Sequence, residues 1–311
     1  YNNIAFREAA EKEGLIAKNF VQDAFSHESK QEVIAYIKNE FGGKVDLVVY
    51  SLASGRRTDP DTGETYTSAI KSLGEPVVGP NINMQNHAFY TETLEPATAE
   101  EIAGTVKVMG GEDWQLWMEA LKEADVLADG VLTTNYSYLG TELNRPYYGG
   151  GTLGLAKADC DEKEKAQTIN ALLADINGKA QIVVATAVTT KASSVIPFFP
   201  VYCIGLYKVM TEKGTHETPI MHIDRIYRDM VYGENAEYDE VGRLRPDSWE
   251  LDSDTQAKTK ALIQQLNKEN FNTDMAAYDL LYKEFSILSG FMVDNYVEQD
   301  VTIEELKALE Y

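Results

Sequence analysis

The sequence predicts an α/β protein in which helices flank a parallel sheet. Helical and strand patterns alternate over the first fifty residues, and residues 45–50 are nearly continuously apolar, as expected for a strand covered on both faces. The chain has 311 residues, of which 44% are hydrophobic and 25% charged. This composition excludes a disordered or fibrous protein.

Apolar periodicity and glycine stops predict the first elements. A helix is expected at residues 4–13, a strand at 15–21, a helix at 27–41 and a strand at 45–51. This order starts on a helix, whereas a doubly wound sheet normally starts with a strand, a glycine loop and then a helix. We therefore expect the natural protein to extend beyond Tyr1.

Residues 56–96 interrupt the alternation with turn signals and short alternating segments, which predict an inserted excursion of small strands near a site. Thr98 and Glu101 have the spacing of a capping box, so a helix is expected from there to residue 109. Asp113 is expected to cap the helix that follows.

The α/β pattern then resumes and gives way to helices. Strands are predicted at residues 130–136 and 181–188, with a helix at 152–174 between them. Beyond residue 193 the chain is mainly helical. The predicted helices lie at residues 196–213, 219–231, 255–267 and 275–285.

Charge and composition exclude several classes of function. The chain has 28 basic and 50 acidic residues, a net charge of −22, and its lysines and arginines are scattered, so nucleic acid is not an expected partner. No secretory signal begins the chain, and its longest uncharged stretch, residues 192–207, is too short to span a membrane. We expect no membrane span.

The cysteines and histidines indicate neither a disulfide framework nor a metal site. Cys160 and Cys203 lie in no zinc-binding pattern, and two cysteines suit a reducing cytoplasm. His216 and His222 are six residues apart and do not share a helix face. We therefore predict a cytoplasmic protein without a bound metal.

A tyrosine and a lysine nine residues apart, Tyr148 and Lys157, form a possible proton-donating pair. On one continuous helix they would face opposite sides, so the pair requires Tyr148 to lie in a loop. Three glycines follow Tyr148, and Thr152 can begin the helix that carries Lys157. The alternative is a surface tyrosine beside a flexible loop and a solvated lysine, which the spacing alone favours.

The same glycines match GxGxxG at residues 149–154, a pattern that holds dinucleotide phosphates. That motif needs a strand that ends at its first glycine, and residues 139–148 contain Pro146 and cannot form a buried parallel strand. The context therefore argues against a phosphate loop here.

Other candidate residues lie at predicted strand ends, where ligands of parallel sheets collect. Tyr138 follows one strand and would lie near Tyr148 if the intervening loop returns over the sheet edge; simple packing of tyrosines is the alternative. Asp23 and residues 51–53 follow two other strands, and Asp23 could equally be a turn residue before the helix.

Taken together, several segments resemble the FabV/TER family of trans-2-enoyl thioester reductases, in particular its clostridial type. The resemblance covers essentially the whole chain. Its motifs are Tyr1-Asn2-Asn3, Asp23-Ala24-Phe25-Ser26, Tyr50-Ser51-Leu52-Ala53-Ser54, residues 108–114, residues 136–140, the Tyr148/Lys157 pair, residues 190–197 and residues 208–210. The family is an enlarged, Rossmann-like relative of the short-chain dehydrogenases.

The resemblance implies that NADH reduces the C2=C3 double bond of an enoyl-CoA or enoyl-carrier-protein thioester. Tyr148 would be the proton source and Lys157 would hold the cofactor and supply a positive charge. Tyr138 would contact the thioester. The remaining cofactor contacts implied are Asp23, Ala24, Leu52, Ala53, Val188, Thr189 and Thr190.

By the same resemblance, residues 1–311 form one enlarged domain that lacks the family's glycine-rich amino-terminal segment, and residues 193–311 form its substrate side. We then expect a preparation limited to these residues to be inactive or poorly folded. Residues 195–206 would line the acyl pocket or, alternatively, form an ordinary buried helix. A monomer is expected.

Two other functions stay open on the residues. A short-chain-dehydrogenase carbonyl reductase is disfavoured because that class spaces its tyrosine and lysine four residues apart, on one helix face. A non-catalytic acyl-CoA-binding remnant is the alternative outside the enzymes.

Overall fold

The structure is a computed structural model that describes residues 2–161, 164–294 and 300–307. Its centre is a three-stranded sheet of β1 (Val45–Tyr50), β6 (Leu127–Ser137) and β7 (Lys179–Val184), in the order β1-β6-β7. Both strand pairs are parallel. The predicted α/β class with a parallel sheet is confirmed.

Successive strand residues point to opposite faces of the sheet, and apolar side chains lie on both faces. Other elements therefore pack over each face. On one face α2 (His27–Glu40), α4 (Glu112–Glu123) and α6 (Lys165–Leu173) pack over Ile182 of β7. The next residue, Val183, belongs to a smaller cluster on the other face. The buried helix residues of the first face are Ile34, Ile37, Trp114, Met118, Leu121, Ala166, Ile169 and Leu173.

The amino-terminal helix is present as α1 (Asn2–Lys12), but the strand predicted at residues 15–21 is wrong. The segment has no strand pairing in the described part of the chain, and its apolar side chains are exposed: Leu15 by 63%, Ile16 by 59% and Val21 by 62%. An apolar run without a neighbouring strand cannot satisfy its backbone groups as a sheet does.

The predicted excursion of small strands is confirmed as two antiparallel hairpins. They pair β2 (Arg56–Thr58) with β3 (Thr65–Thr67), and β4 (Val77–Asn83) with β5 (Ala88–Leu94). The linker between them is bound to the chain at Thr152, because the Lys71 carbonyl accepts a hydrogen bond from the Thr152 backbone N–H at 3.0 Å.

The predicted capping box begins α3 (Ala99–Met109), with reciprocal hydrogen bonds between Thr98 and Glu101. The prediction that Asp113 caps α4 is wrong. That helix begins one residue earlier, and the Asp113 carboxylate is buried against the Lys30 ammonium at 2.8 Å. A buried cation is a stronger partner for a carboxylate than a helix end.

Two further boundaries differ from prediction. The helix predicted at 152–174 is two helices, α5 (Thr152–Cys160) and α6, because Asp161 adopts an extended backbone and binds Arg243 at 2.8 Å. Strand β7 ends at Val184 instead of residue 188, because the Thr186 and Ala187 N–H groups donate to side chains and leave the sheet.

The carboxyl-terminal part is mainly helical, as predicted. The longest helix, α7 (Phe199–Lys213), begins later than residue 196 because Phe198 has a left-handed backbone with φ of +64°. The helix predicted at 219–231 is α8 (Pro219–Arg225) followed by a π-helical turn, Ile226–Val231. The remaining helices are α9 (Ser248–Leu251), α10 (Ser253–Ile263), α11 (Tyr278–Ile287) and α12 (Ile303–Lys307), so the helices predicted at 255–267 and 275–285 are shifted.

The described ranges contain neither a membrane-spanning helix nor a cluster of metal-binding side chains. None of the helices there is long and apolar enough to cross a membrane. No group of three or more histidine, cysteine or acidic side chains there could hold a metal ion. Cys160 and Cys203 are both free and buried.

Candidate active site

The candidate site lies where β6 ends and the chain turns back toward α5. Tyr138 follows the last residue of β6, and residues 142–150 form consecutive turns that carry Tyr148. The Tyr148 backbone is held at both ends: its N–H donates to the Asn144 carbonyl at 2.9 Å, and its carbonyl accepts from Gly154 N–H at 3.1 Å. The prediction that Tyr148 lies in a loop before the helix is confirmed.

The glycines after Tyr148 serve close packing. A Cβ atom at Gly151 would lie 2.8 Å from the carbonyl oxygens of both Lys71 and Tyr147, and one at Gly154 would lie 2.1 Å from the Gly149 oxygen. The turns that precede them replace the strand that a phosphate loop requires. The GxGxxG pattern is therefore a packing feature, as its context indicated.

The structure brings the two candidate tyrosines together. The rings of Tyr138 and Tyr148 meet edge to face with centroids 4.8 Å apart, and both side chains are buried. Their hydroxyl groups differ. Tyr138 donates to Glu250 Oε1 at 2.7 Å and accepts from Asn144 Nδ2 at 2.6 Å, so its proton is committed to the carboxylate.

The Tyr148 hydroxyl has no hydrogen-bond partner in the part of the chain that the structure describes. Burial raises the pKa of Tyr148 to about 12. A neutral, unpartnered hydroxyl in a site largely shielded from water is available to donate a hydrogen bond to a substrate oxygen.

Glu250 is the site residue that the sequence reasoning missed. It is completely buried in α9, and its Oε1 atom accepts from both Tyr138 and Tyr202, the latter at 2.6 Å. Its Oε2 atom accepts from the Ala187 N–H at 2.7 Å. Burial raises the pKa of Glu250 despite these hydrogen bonds. No local motif could have revealed it, because Tyr138 and Ala187 are 112 and 63 residues away in sequence.

Lys157 lies in α5 and is half-buried. Within the described residues it makes no hydrogen bond or ion pair with Tyr148, and no charge counteracts the effect of burial on the Tyr148 pKa. Its positive charge acts instead on Cys160, whose pKa burial nevertheless raises. The role of Lys157 beside Tyr148 stays a prediction.

The loop after β7 contains three of the predicted cofactor contacts and is held by buried side chains of the helical part. The Thr186 N–H donates to His222 Nε2 at 3.1 Å, next to the Ala187 bond to Glu250. Thr189 is buried, and its hydroxyl donates to Glu284 Oε2 at 2.5 Å. Val188 and Thr190 are half-buried between or beside these anchors.

The predicted adenine-side residues lie in loops before α2 and after β1. Asp23 is exposed, and its carboxylate accepts from the Phe25 N–H at 3.0 Å, so it also has the turn role that was its alternative. The Ala24 carbonyl accepts from Trp117 Nε1 at 3.1 Å, and Leu52 packs against the same apolar cluster as Trp117. The two loops therefore border the same apolar cluster.

Residues 195–206 include both a buried helix and part of a groove. Ile204 and Leu206 are fully buried in α7, as the alternative of an ordinary core helix predicted. Phe198, Val201 and Tyr202 also line a surface groove, together with residues 77–80 of β4. The ordinary core helix therefore describes Ile204 and Leu206, and the acyl-pocket role of residues 195–206 stays a prediction.

Comparison with protein families gives two matches along the chain. Residues 1–232 match the model described as the trans-2-enoyl-CoA reductase catalytic region. Residues 238–301 match the model described as the enoyl reductase FAD-binding domain. The first match alone covers most of the chain.

The two arginines of the second segment are not free to bind a flavin pyrophosphate. A flavin dinucleotide needs free cationic or amide groups for its pyrophosphate. Both arginines here are already bound by carboxylates: Arg243 by Asp161 and Asp239, and Arg245 by Asp239 and Asp247.

The relatives agree with the first family model. The trans-2-enoyl-CoA reductase [NADH] of Clostridium beijerinckii is 48% identical over 100% of this chain and 78% of its own length. The enoyl-[acyl-carrier-protein] reductase [NADH] 2 of Photobacterium profundum is 45% identical over 99% and 77%. The crystal structure of the Clostridium acetobutylicum trans-2-enoyl-CoA reductase in complex with NADH has a TM-score of 0.95 at 45% identity, over 100% of this chain and 78% of that one. The chain therefore belongs to the trans-2-enoyl-CoA reductase family.

Proposed function

We propose that this protein reduces the C2=C3 double bond of trans-2-enoyl thioesters, with NADH as the hydride donor and CoA or acyl-carrier protein as the thiol carrier. The observation that carries the proposal is the contrast between the two tyrosines. The Tyr148 side chain is buried and its hydroxyl has no hydrogen-bond partner among the described residues, whereas the Tyr138 hydroxyl donates a hydrogen bond to Glu250. The relatives named for this reaction support the same conclusion.

The residues at the carboxyl edge of the sheet fit a dinucleotide. Ala53 and Asp23 are exposed there, and the backbone of residues 186–190 is fixed by buried partners. In the proposal, Asp23, Ala24, Leu52 and Ala53 hold the adenosine side of NADH, and Val188, Thr189 and Thr190 hold the nicotinamide side with Lys157. Bound NADH supplies the hydride that goes to the β-carbon.

Hydride addition to the β-carbon builds negative charge on the thioester oxygen. Tyr148 donates a hydrogen bond to that oxygen and serves as the proton source, because a donor aimed at developing charge favours the transition state over the ground state. Lys157 favours the tyrosinate that remains. Tyr138 contacts the thioester beside Tyr148, while its hydroxyl still donates a hydrogen bond to Glu250.

We also propose that the protein acts as a cytoplasmic monomer built as one enlarged domain, without a nucleic-acid partner. The net charge of −22 and the buried, unpaired cysteines support this. Light scattering of the purified full-length protein should return the mass of one chain. A stable dimer would overturn the monomer.

The test of the function is NADH consumption by the full-length protein on addition of crotonyl-CoA. Tyr148→Phe should lower kcat by about 10²- to 10⁴-fold, the usual contribution of a positioned proton donor. Tyr147→Phe is the matched control, because Tyr147 is an equally buried neighbour whose ring packs on Phe198. It should keep most of the activity.

The two alternatives predict different results. A carbonyl reductase would consume NADH with a ketoacyl-CoA in place of the enoyl-CoA. A binding remnant would consume NADH with neither substrate although it is folded. Either result would overturn the proposed function.

A further inference from the structure

One buried carboxylate connects the two parts of the candidate site. Glu250 Oε1 accepts the Tyr138 hydroxyl, and Glu250 Oε2 accepts the Ala187 N–H in the loop that precedes Val188. We propose that Glu250 is a positioning residue that sets Tyr138 and this loop relative to each other for the reaction. This inference rests on the proposed function.

The hydrogen bonds to both carboxylate oxygens hold the Glu250 side chain in one orientation. Tyr202 donates to Oε1 at 2.6 Å, and Gln256 Nε2 donates both to the Tyr202 hydroxyl at 3.1 Å and to the Glu250 carbonyl at 2.7 Å. Asn144 donates to the far side of the Tyr138 hydroxyl. Tyr138 is therefore held from two sides, and its ring meets that of Tyr148 edge to face.

The chemistry of this carboxylate favours a positioning role over a purely stabilising one. Within the described residues Glu250 forms no ion pair, and the nearby carboxylate Asp247 repels it. A buried carboxylate without a cation is costly to keep, and an apolar residue would cost less. Glu250 accepts three hydrogen bonds, and two of them come from Tyr138 and from the loop at Ala187, both of which the proposed reaction uses. That role is a reason to keep a carboxylate whose burial is unfavourable.

The experiment is a double-mutant cycle in the full-length protein, with NADH and crotonyl-CoA as substrates. The variants are Glu250→Gln, Tyr138→Phe and the two combined. Glutamine keeps the shape of the side chain but has only one acceptor oxygen for the three donors. We expect Glu250→Gln to lower kcat about 10- to 100-fold, as small misplacements of a reacting group do, with KM changed less.

If Glu250 acts through Tyr138, the two changes are not additive. Glu250→Gln should then lower kcat much less in the Tyr138→Phe background than in the unaltered protein. The matched control is Asp247→Asn, which alters a buried, ion-paired carboxylate three residues away that contacts neither tyrosine. It should leave kcat within about threefold, because it removes the charge that repels Glu250 but none of the hydrogen bonds that position Tyr138.

A second readout does not depend on activity. Hydrogen exchange of a peptide that spans Ala187 should become faster in Glu250→Gln and stay unchanged in Asp247→Asn, because only the first variant removes the carboxylate acceptor of that N–H. Unchanged exchange in both variants would overturn the anchoring of the loop.

Failure of the inference and failure of the proposed function are distinguishable. An unaltered protein that does not consume NADH with crotonyl-CoA overturns the function, and the exchange result at Ala187 then decides the anchoring alone. An active protein in which Glu250→Gln lowers kcat by the same factor with and without Tyr138 overturns the positioning role.

Discussion

Two tyrosine–carboxylate pairs lie along the same edge of the parallel sheet, and they are built differently. At the end of β1 the Tyr50 hydroxyl donates to Asp113 Oδ2 at 3.1 Å, and the Lys30 ammonium donates to Oδ1 at 2.8 Å. Just after β6 the Tyr138 hydroxyl donates to Glu250, which forms no ion pair within the described ranges. One carboxylate is compensated by a charge and the other by hydrogen bonds alone.

The difference separates a structural clamp from a candidate functional group. Lys30 belongs to α2 and Asp113 to α4, so their pair joins two helices over the sheet. Burial raises the pKa of both carboxylates, Asp113 and Glu250, and outweighs the opposing effect of Lys30 on Asp113. Only at Glu250, however, do the hydrogen bonds reach the residues proposed to carry the reaction.

Removal of the cation from the first pair should have the largest effect on stability. Lys30→Met leaves the buried Asp113 carboxylate without its partner, and breaking such a pair typically lowers the free energy of unfolding by about 3–5 kcal/mol. Urea denaturation followed by circular dichroism measures this. Lys122→Met is the control, because the Lys122 bridge to Asp175 is at the surface, where solvent screens it, and its loss should change the stability much less. Equal losses in the two variants would contradict the clamp.

Glu217 is a third buried carboxylate, and it has both a cation, Arg225, and a further hydrogen-bond donor, His222. Burial alone would raise its pKa, but hydrogen bonds from His222 and Arg225 and the Arg225 charge lower the pKa of Glu217 to about 2. The folded pKa thus lies below the unfolded value of 4.5. Glu217 therefore stabilises the fold above about pH 4.5, and this contribution, at most about 3 kcal/mol, is lost as the pH falls toward 2.

The variant Glu217→Gln tests this sign. Its free energy of unfolding should be lower than that of the unaltered protein at pH 6, and the difference should shrink as the pH falls through the window from 4.5 to 2. Urea titrations at several pH values measure it. A difference that stays constant with pH would show that Glu217 stabilises by packing and not by charge.

The smallest expected effect is at the hydroxyl of the charge-compensated pair. Tyr50→Phe removes one hydrogen bond from Asp113 while Lys30 remains, so the free energy of unfolding should fall by about 1 kcal/mol. Thermal unfolding measures it. A loss as large as that of Lys30→Met would show that the hydroxyl, and not the charge, compensates this carboxylate.

Local patterns predicted much of the fold and one part of the site. The capping box at Thr98 and Glu101 and the turns that carry Tyr148 follow from neighbouring residues, and both are present. Where a long-range partner competed with a local one, the local reasoning was wrong. Asp113 bonds to Lys30, 83 residues away, instead of capping its helix. The apolar segment at 15–21 has no partner strand and is not a strand.

By itself the sequence determined the class of fold, the family and the position of Tyr148 in a turn, because these depend on periodicity, glycine placement and short motifs. Only the tertiary structure decided which of the two candidate tyrosines, Tyr138 and Tyr148, has a hydroxyl without a hydrogen-bond partner among the described residues. That choice depends on Glu250, which lies 112 residues from Tyr138. Burial strengthens the hydrogen bonds among such distant side chains, and a sequence does not show which of them are buried together.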